Sequence, residues 1–163
     1  MPKLLVLFHA HSTELAPLVD AVADGARGVR FAEVDVRSVG EGTMPMGRRP
    51  LERIEDLASY DGIIVGVGSG ATANGIVESL ARFDGSLVDK VGSAFTAGSG
   101  ADRAAALWSA LSPMADRGMI LVPLPFADGR ESETDACRQM GKRVAEVVGW
   151  VTHARSHHHH PHH

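Results

Sequence analysis

Cysteine is nearly absent: Cys137 is the one thiol in 163 residues. A lone cysteine cannot close an intramolecular disulfide and leaves no thiolate cluster for zinc or iron–sulfur, so a reducing, cytoplasmic setting is expected. Basic charge is also scarce. The 16 Lys and Arg against 20 Asp and Glu give a formal charge of −4, the wrong sign for a duplex nucleic-acid binder. No apolar run approaches the roughly 20 residues of a membrane-spanning helix. The start MPKLLVLF reaches His9 too soon to be a signal core with a cleavage site, so an unprocessed protein with no membrane contact is expected. With 44% hydrophobic and 22% charged residues the composition excludes a disordered chain, and the length suits one domain.

Six of the nine histidines lie in the closing HHHHPHH. This segment reads as an appended polyhistidine tag, with a native metal-binding tract as the alternative. Residues 1–152 are then the folded domain, and 153–163 a disordered or tag-like tail.

What the chain does contain is alternation. KLLVLF (3–8) is a continuous apolar run of strand length, followed by Leu18, Val19, Val22, Ala23 and Ala26 at helix spacing. VRFAEVDV (29–36) reads as a strand. A Gly/Pro/Met/Arg loop over 40–50 then leads into a helix with Leu51, Ile54 and Leu57 on one face. GIIVGV (62–67) is the next strand, followed by a short helix near 76–81, a strand over 91–96 and a helix over 103–116. GMILVPL (118–124) is the last strand. The last helix carries Cys137, Met140, Val144, Val147, Val148 and Val151.

Five strands alternating with five helices demand parallel pairing, because each helix returns the chain across a face of the sheet. The expected fold is α/β, a doubly wound five-stranded parallel sheet of order 2-1-3-4-5, the arrangement that the resemblance below identifies as flavodoxin-like. Ligands of such sheets sit beyond the carboxyl ends of the strands, so the loops after residues 8, 67 and 96 are the places to search.

The first loop is His9, Ala10, His11, Ser12, Thr13, Glu14 and Leu15. Ser12 or Thr13 can cap the following helix, and the free amides and dipole there suit a phosphate; a plain N-cap is the alternative. Glu14 opposes an anion, and Pro17 removes an amide hydrogen. His9 and His11 either offset that charge or stand in solvent.

The second loop begins Gly68, Ser69, Gly70, Ala71, Thr72. Its glycines let backbone approach a flat or charged ligand, or simply make cheap turns. It formally matches a dinucleotide fingerprint but follows the third strand instead of opening the first β–α–β unit, and it lacks the Gly-Lys-Ser/Thr of a P-loop. The third loop is Thr96, Ala97, Gly98, Ser99, Gly100, Ala101 and Asp102. A cofactor with a phosphate at one end and a planar hydrogen-bonding ring at the other would use all three loops, and FMN fits that description.

Taken together, KLLVLF with a helix ending AVADGAR, LASYDGIIVG, VGSAFTAGSG, RGMILVP and MGKRVAEV resemble the flavodoxin-like NAD(P)H:quinone oxidoreductases, flavoproteins similar to the tryptophan-repressor-binding protein. The resemblance runs from Lys3 to about Val148. It implies an FMN phosphate at residues 10–15, the ring against Ser69, Gly70 and Ala71, and further contacts at 97–102 and at Asp116. It also implies hydride transfer from NAD(P)H, reduction of a quinone or a similar small acceptor, and a homodimer or larger homo-oligomer.

The chain departs from the family pattern on the ligand side. Ala10 and Thr13 replace a Ser and a Gly, and Gly68 to Thr72 replace a Pro-Thr-Arg-Phe-Gly segment. Asp116 and Arg117 replace a His pair, and the segment after the fifth strand is shortened to about 126–133. These departures motivate the alternative, a flavodoxin-like domain that has lost FMN and serves as an anion-binding or protein-interaction module.

An electron-carrier flavodoxin is a third reading, disfavoured by loops without Trp or Tyr. A phospho-receiver would need an Asp where Val67 and Gly68 stand. Arg48 and Arg49 either face a dinucleotide phosphate or are solvated. Cys137, Trp108, Met114, Met119 and Met140 read as packing. No catalytic acid or base is assigned.

Overall fold

The computed structural model describes residues 1–9, 13–40, 49–68, 78–97, 101–123 and 132–158. Its sheet contains β1 (Lys3–His9), β2 (Glu33–Val39), β3 (Arg49–Pro50), β4 (Gly62–Val67), β5 (Val91–Thr96) and β6 (Ile120–Leu121). All pairings are parallel, in the order β3-β2-β1-β4-β5-β6. Setting aside β3, this is the expected 2-1-3-4-5 arrangement. β3 is an extra two-residue edge, and Pro50 suits an edge because it offers no amide hydrogen to a ladder; Leu51 N–H then donates to Ser38 O at 2.8 Å.

The continuous apolar runs are explained by burial on both faces: every residue of β4 and β5 is buried. Leu4, Val6 and Phe8 of β1 face one layer, formed by α1 (Ala16–Arg27) and α3 (Glu133–His158). Leu5 and Leu7 face the other. That layer holds the 3₁₀ helix Ile54–Ser59, the helical residues 78–82 and α2 (Ala101–Asp116). On the first face the two helices meet backbone to backbone. A Cβ on Gly25 would collide with Arg138 O, and one on Gly141 with Val22 O.

Several boundaries differ from expectation. β2 begins at Glu33, not at 29, because Phe31 adopts left-handed backbone (φ 69°) and residues 28–31 form a turn. The helix expected from Leu51 is a 3₁₀ helix starting at Ile54. The last strand is Ile120–Leu121, shorter than 118–124, since Gly118 (φ 79°) turns the chain out of α2. Residue 124 lies outside the described residues. α3 continues past Thr152 to His158, and Arg155 Nη2 donates to Asp89 O at 2.5 Å, so residues 153–158 are helical.

The outward face of α2 was also misjudged. Trp108 is 64% exposed, whereas Ala110, Leu111 and Met114 are buried. Met119, Met140 and Cys137 pack in the core as expected. No helix among the described residues is long and apolar enough to cross a membrane.

Candidate functional site

Strand register places the exits of β1, β4 and β5 on one rim. His9 pairs with Val39, Phe8 with Gly66, and Val67 with Thr96, so Val39, His9, Val67 and Thr96 form the last row of four adjacent strands. Neighbouring strands lie about 5 Å apart. The chain therefore leaves β1, β4 and β5 within about 10 Å, all on the side where α1 and α2 begin.

At the β1 exit, Thr13–Leu15 form a 3₁₀ turn and α1 starts one residue later. Its N-cap is Leu15, with no side-chain cap bond. Leu15 is thus the residue that precedes α1, while Ser12, at the entry to the 3₁₀ turn, lies outside the described residues; Pro17 suits the start of α1. The structure seats the proline in the first turn, where an amide hydrogen has no intrahelical partner to lose. The result is a helix N-terminus whose N-cap residue supplies no side-chain bond and whose first turn holds no acidic residue. Glu14, in the preceding turn, is exposed.

His9 packs on Gly40, the residue after β2. A Cβ there would lie 2.5 Å from His9 Nε2 and 2.8 Å from Cε1, and Gly40 has φ 88°. Only glycine meets both demands, a pairing that periodicity could not reveal because the two residues are 31 positions apart. At the β4 and β5 exits, the buried Thr96 hydroxyl donates to Val67 O at 2.6 Å. It thereby ties together the strands from which the two glycine-rich loops spring. Its proton is committed to the protein, so Thr96 clamps two strands in addition to standing at the rim.

Of the residues expected at the site, His9, Thr13, Glu14, Leu15, Gly68, Thr96, Ala97, Ala101 and Asp102 stand at this rim. Ala10, His11, Ser12, Ser69, Gly70, Ala71, Thr72, Gly98, Ser99 and Gly100 lie outside the described residues, as does Arg48. Asp116 is not brought to the rim. It ends α2, and the strand that follows pairs Ile120 with Val91 at the start of β5. Sixteen residues of helix span about 24 Å, which carries Asp116 to the opposite edge of the sheet.

Elsewhere, burial and then nearby Glu133 push the Cys137 thiol up to about 11, so it stays protonated and unreactive at neutral pH. Tyr60 is pushed up to about 12, first by burial and then by its hydrogen bond to Asp35 (2.8 Å). Burial lowers Lys90, whose ammonium donates to Ala58 O at 3.0 Å and Tyr60 O at 2.6 Å. That pins the end of the 3₁₀ helix to β5.

No protein-family model matches the chain. Solved structures match its fold. A WrbA-like flavodoxin from Agrobacterium tumefaciens superposes with a TM-score of 0.60 at 20% identity, covering 92% of this chain and 99% of that one. Oxidised Flavodoxin 2 from Bacillus cereus gives 0.66 at 19%, covering 89% and 99%. Sequence relatives come closer. A protein named NAD(P)H dehydrogenase (quinone) from Cupriavidus metallidurans is 35% identical over 150 residues, 78% of this chain and 73% of the relative. One of the same name from Archaeoglobus fulgidus is 32% identical over 192 aligned positions, covering 91% and 98%. With the parallel sheet and the shared rim of strand exits in place, these identities establish that the chain belongs to the family of the NAD(P)H dehydrogenases (quinone).

Proposed function

We propose that this protein is an FMN-dependent oxidoreductase that uses NAD(P)H to reduce a quinone or similar small acceptor. The observation that carries the reading is the convergence of the β1, β4 and β5 exits on one rim, beside the N-terminus of α1.

The donor set there fits the cofactor. Backbone amides and the positive end of α1 suit a phosphate, and a carboxylate is kept out of the first turn of α1. Gly68 and Ala97 begin loops whose small residues let backbone groups approach a planar ring. When bound, FMN supplies reversible hydride acceptance and donation. The chain's own part is to orient: the Thr96–Val67 bond ties the two strands from which the second and third loops leave, and His9 packs on Gly40 where the first begins.

We place the protein in the cytoplasm on the strength of its single, buried cysteine. A homo-oligomer is supported by α2, which carries no charge between Arg103 and Asp116 and exposes Trp108. Steady-state oxidation of NADH and NADPH with benzoquinone, with and without added FMN, tests the activity. Turnover that requires both FMN and the quinone is expected; turnover that is absent, or that is unchanged without FMN, refutes it.

A further inference from the structure

A second polar cleft, of about 220 Å³, opens beside β3 and is walled by Arg37, Arg49, Glu52, Asp56, Ser59 and Tyr60. Its two guanidinium groups come from paired positions, since Arg37 and Arg49 are register partners in adjacent parallel strands. Like charges at paired positions repel, so the arrangement needs a counter-anion.

Asp35, and Glu52 and Asp56 in the cleft wall, offset the charge, yet among the described residues none of these carboxylates hydrogen-bonds to either guanidinium. Arg37 Nη2 is 3.9 Å from Asp35 Oδ2, too long for a hydrogen bond, and that same oxygen accepts from Tyr60. Arg37 Nη1 donates to its neighbour's carbonyl, Val36 O, at 2.9 Å. The Arg49 side chain is exposed and makes no hydrogen bond or ion pair among the described residues. Nor is the pair part of a generally basic surface, because the chain carries a net charge of −4.

We propose that Arg37 and Arg49 bind the 2′-phosphate of an adenine dinucleotide and thereby select NADPH over NADH. Two guanidinium groups with uncommitted donors match a phosphomonoester. The carboxylates of Glu52 and Asp56 suit the hydroxyls of the ribose that bears it. The volume accommodates a sugar phosphate, leaving the rest of the dinucleotide outside the cleft.

Position agrees. Arg37 stands two residues before Val39 in the rim row, and β4 is two strands away, so strand geometry puts the cleft about 12 Å from the β4 exit. That lies within the reach of an extended dinucleotide whose nicotinamide end is at the rim. This inference rests on the nicotinamide-dependent reading above, yet its test uses neither flavin nor quinone.

Thermal melts with adenosine 2′,5′-bisphosphate and with adenosine 5′-monophosphate provide that test. The bisphosphate is expected to raise Tm, and the monophosphate to have a much smaller effect. Arg49→Gln and Arg37→Gln should each weaken bisphosphate binding about tenfold or more, and raise KM for NADPH while leaving that for NADH unchanged. Arg49 is exposed, so its variant folds regardless of what happens at Arg37. Equal shifts with the two nucleotides, or an Arg49→Gln variant that binds the bisphosphate as the parent does, would overturn the proposal. A protein that oxidises NADH through FMN but fails these melts would refute the phosphate site alone.

Discussion

Three glycines inside helices make a graded test of how α1 is held. Gly25 and Gly141 lie where α1 and α3 touch, and a Cβ on either would overlap a carbonyl oxygen of the other helix. A carbonyl on a hydrogen-bonded helix cannot swing aside, so Gly25→Ala or Gly141→Ala must push the helices apart. That separation loosens the packing of Leu18, Val22, Met140 and Val144, all buried in this layer. Overpacking of this kind costs about 1–3 kcal/mol, and backbone contact places it at or above the upper end.

A loss of about 3 kcal/mol would lower Tm by roughly 6–12 °C in a domain of this size. Gly149 is the internal control. Nothing lies within 4 Å of a Cβ there, so Gly149→Ala should gain up to about 1 kcal/mol from helix propensity. The double variant Gly25→Ala/Gly141→Ala should cost less than the sum of its parts, because one separation relieves both clashes. Urea unfolding followed by circular dichroism measures all four. If Gly141→Ala loses less than about 1 kcal/mol, or Gly149→Ala destabilises as much as Gly141→Ala, the close helix contact is wrong.

Three further outcomes follow. Tyr60 is the only tyrosine, so ultraviolet titration reads it alone. Its folded value of about 12 against the ordinary 10.0 means that the unfolded chain loses the proton first as pH rises. Its stabilising contribution should be full below pH 10 and vanish towards about 12, and a folded-state midpoint near 10 refutes the burial of Tyr60 against Asp35. Thr96→Val removes the hydroxyl that ties β5 to β4 and should cost about 1–2 kcal/mol while weakening FMN binding; unchanged FMN affinity would show that the clamp does not shape the rim. Cys137, buried and pushed up to about 11, should resist thiol reagents until the protein unfolds, and rapid labelling of the native protein contradicts its core placement.

The strands were legible where burial on both faces leaves a continuous apolar run, as in GIIVGV and VGSAFT. α1 and α3 were legible because their apolar positions repeat at helical spacing against charged neighbours. α2 was misread at Trp108, since Ala, Leu and Trp surround the helix and spacing alone does not say which side faces in. Asp116 lies away from the rim of its own chain, which similarity in sequence does not reveal because it does not say which end of a helix reaches the rim. The Gly40–His9 packing, the Thr96–Val67 bond and the Arg37–Arg49 pair all depend on register between strands distant in sequence, and one-dimensional patterns do not encode register.

FMN binding itself is the most direct measurement of the central claim. Titrating the flavin-free protein with FMN, with flavin fluorescence giving Kd and a parallel melt giving stability, should show saturable one-to-one binding. At a free concentration of 100 times Kd the added stability should be about 2.7 kcal/mol. No saturable binding and no change in the melt would contradict the claim that the β1, β4 and β5 exits form an FMN site.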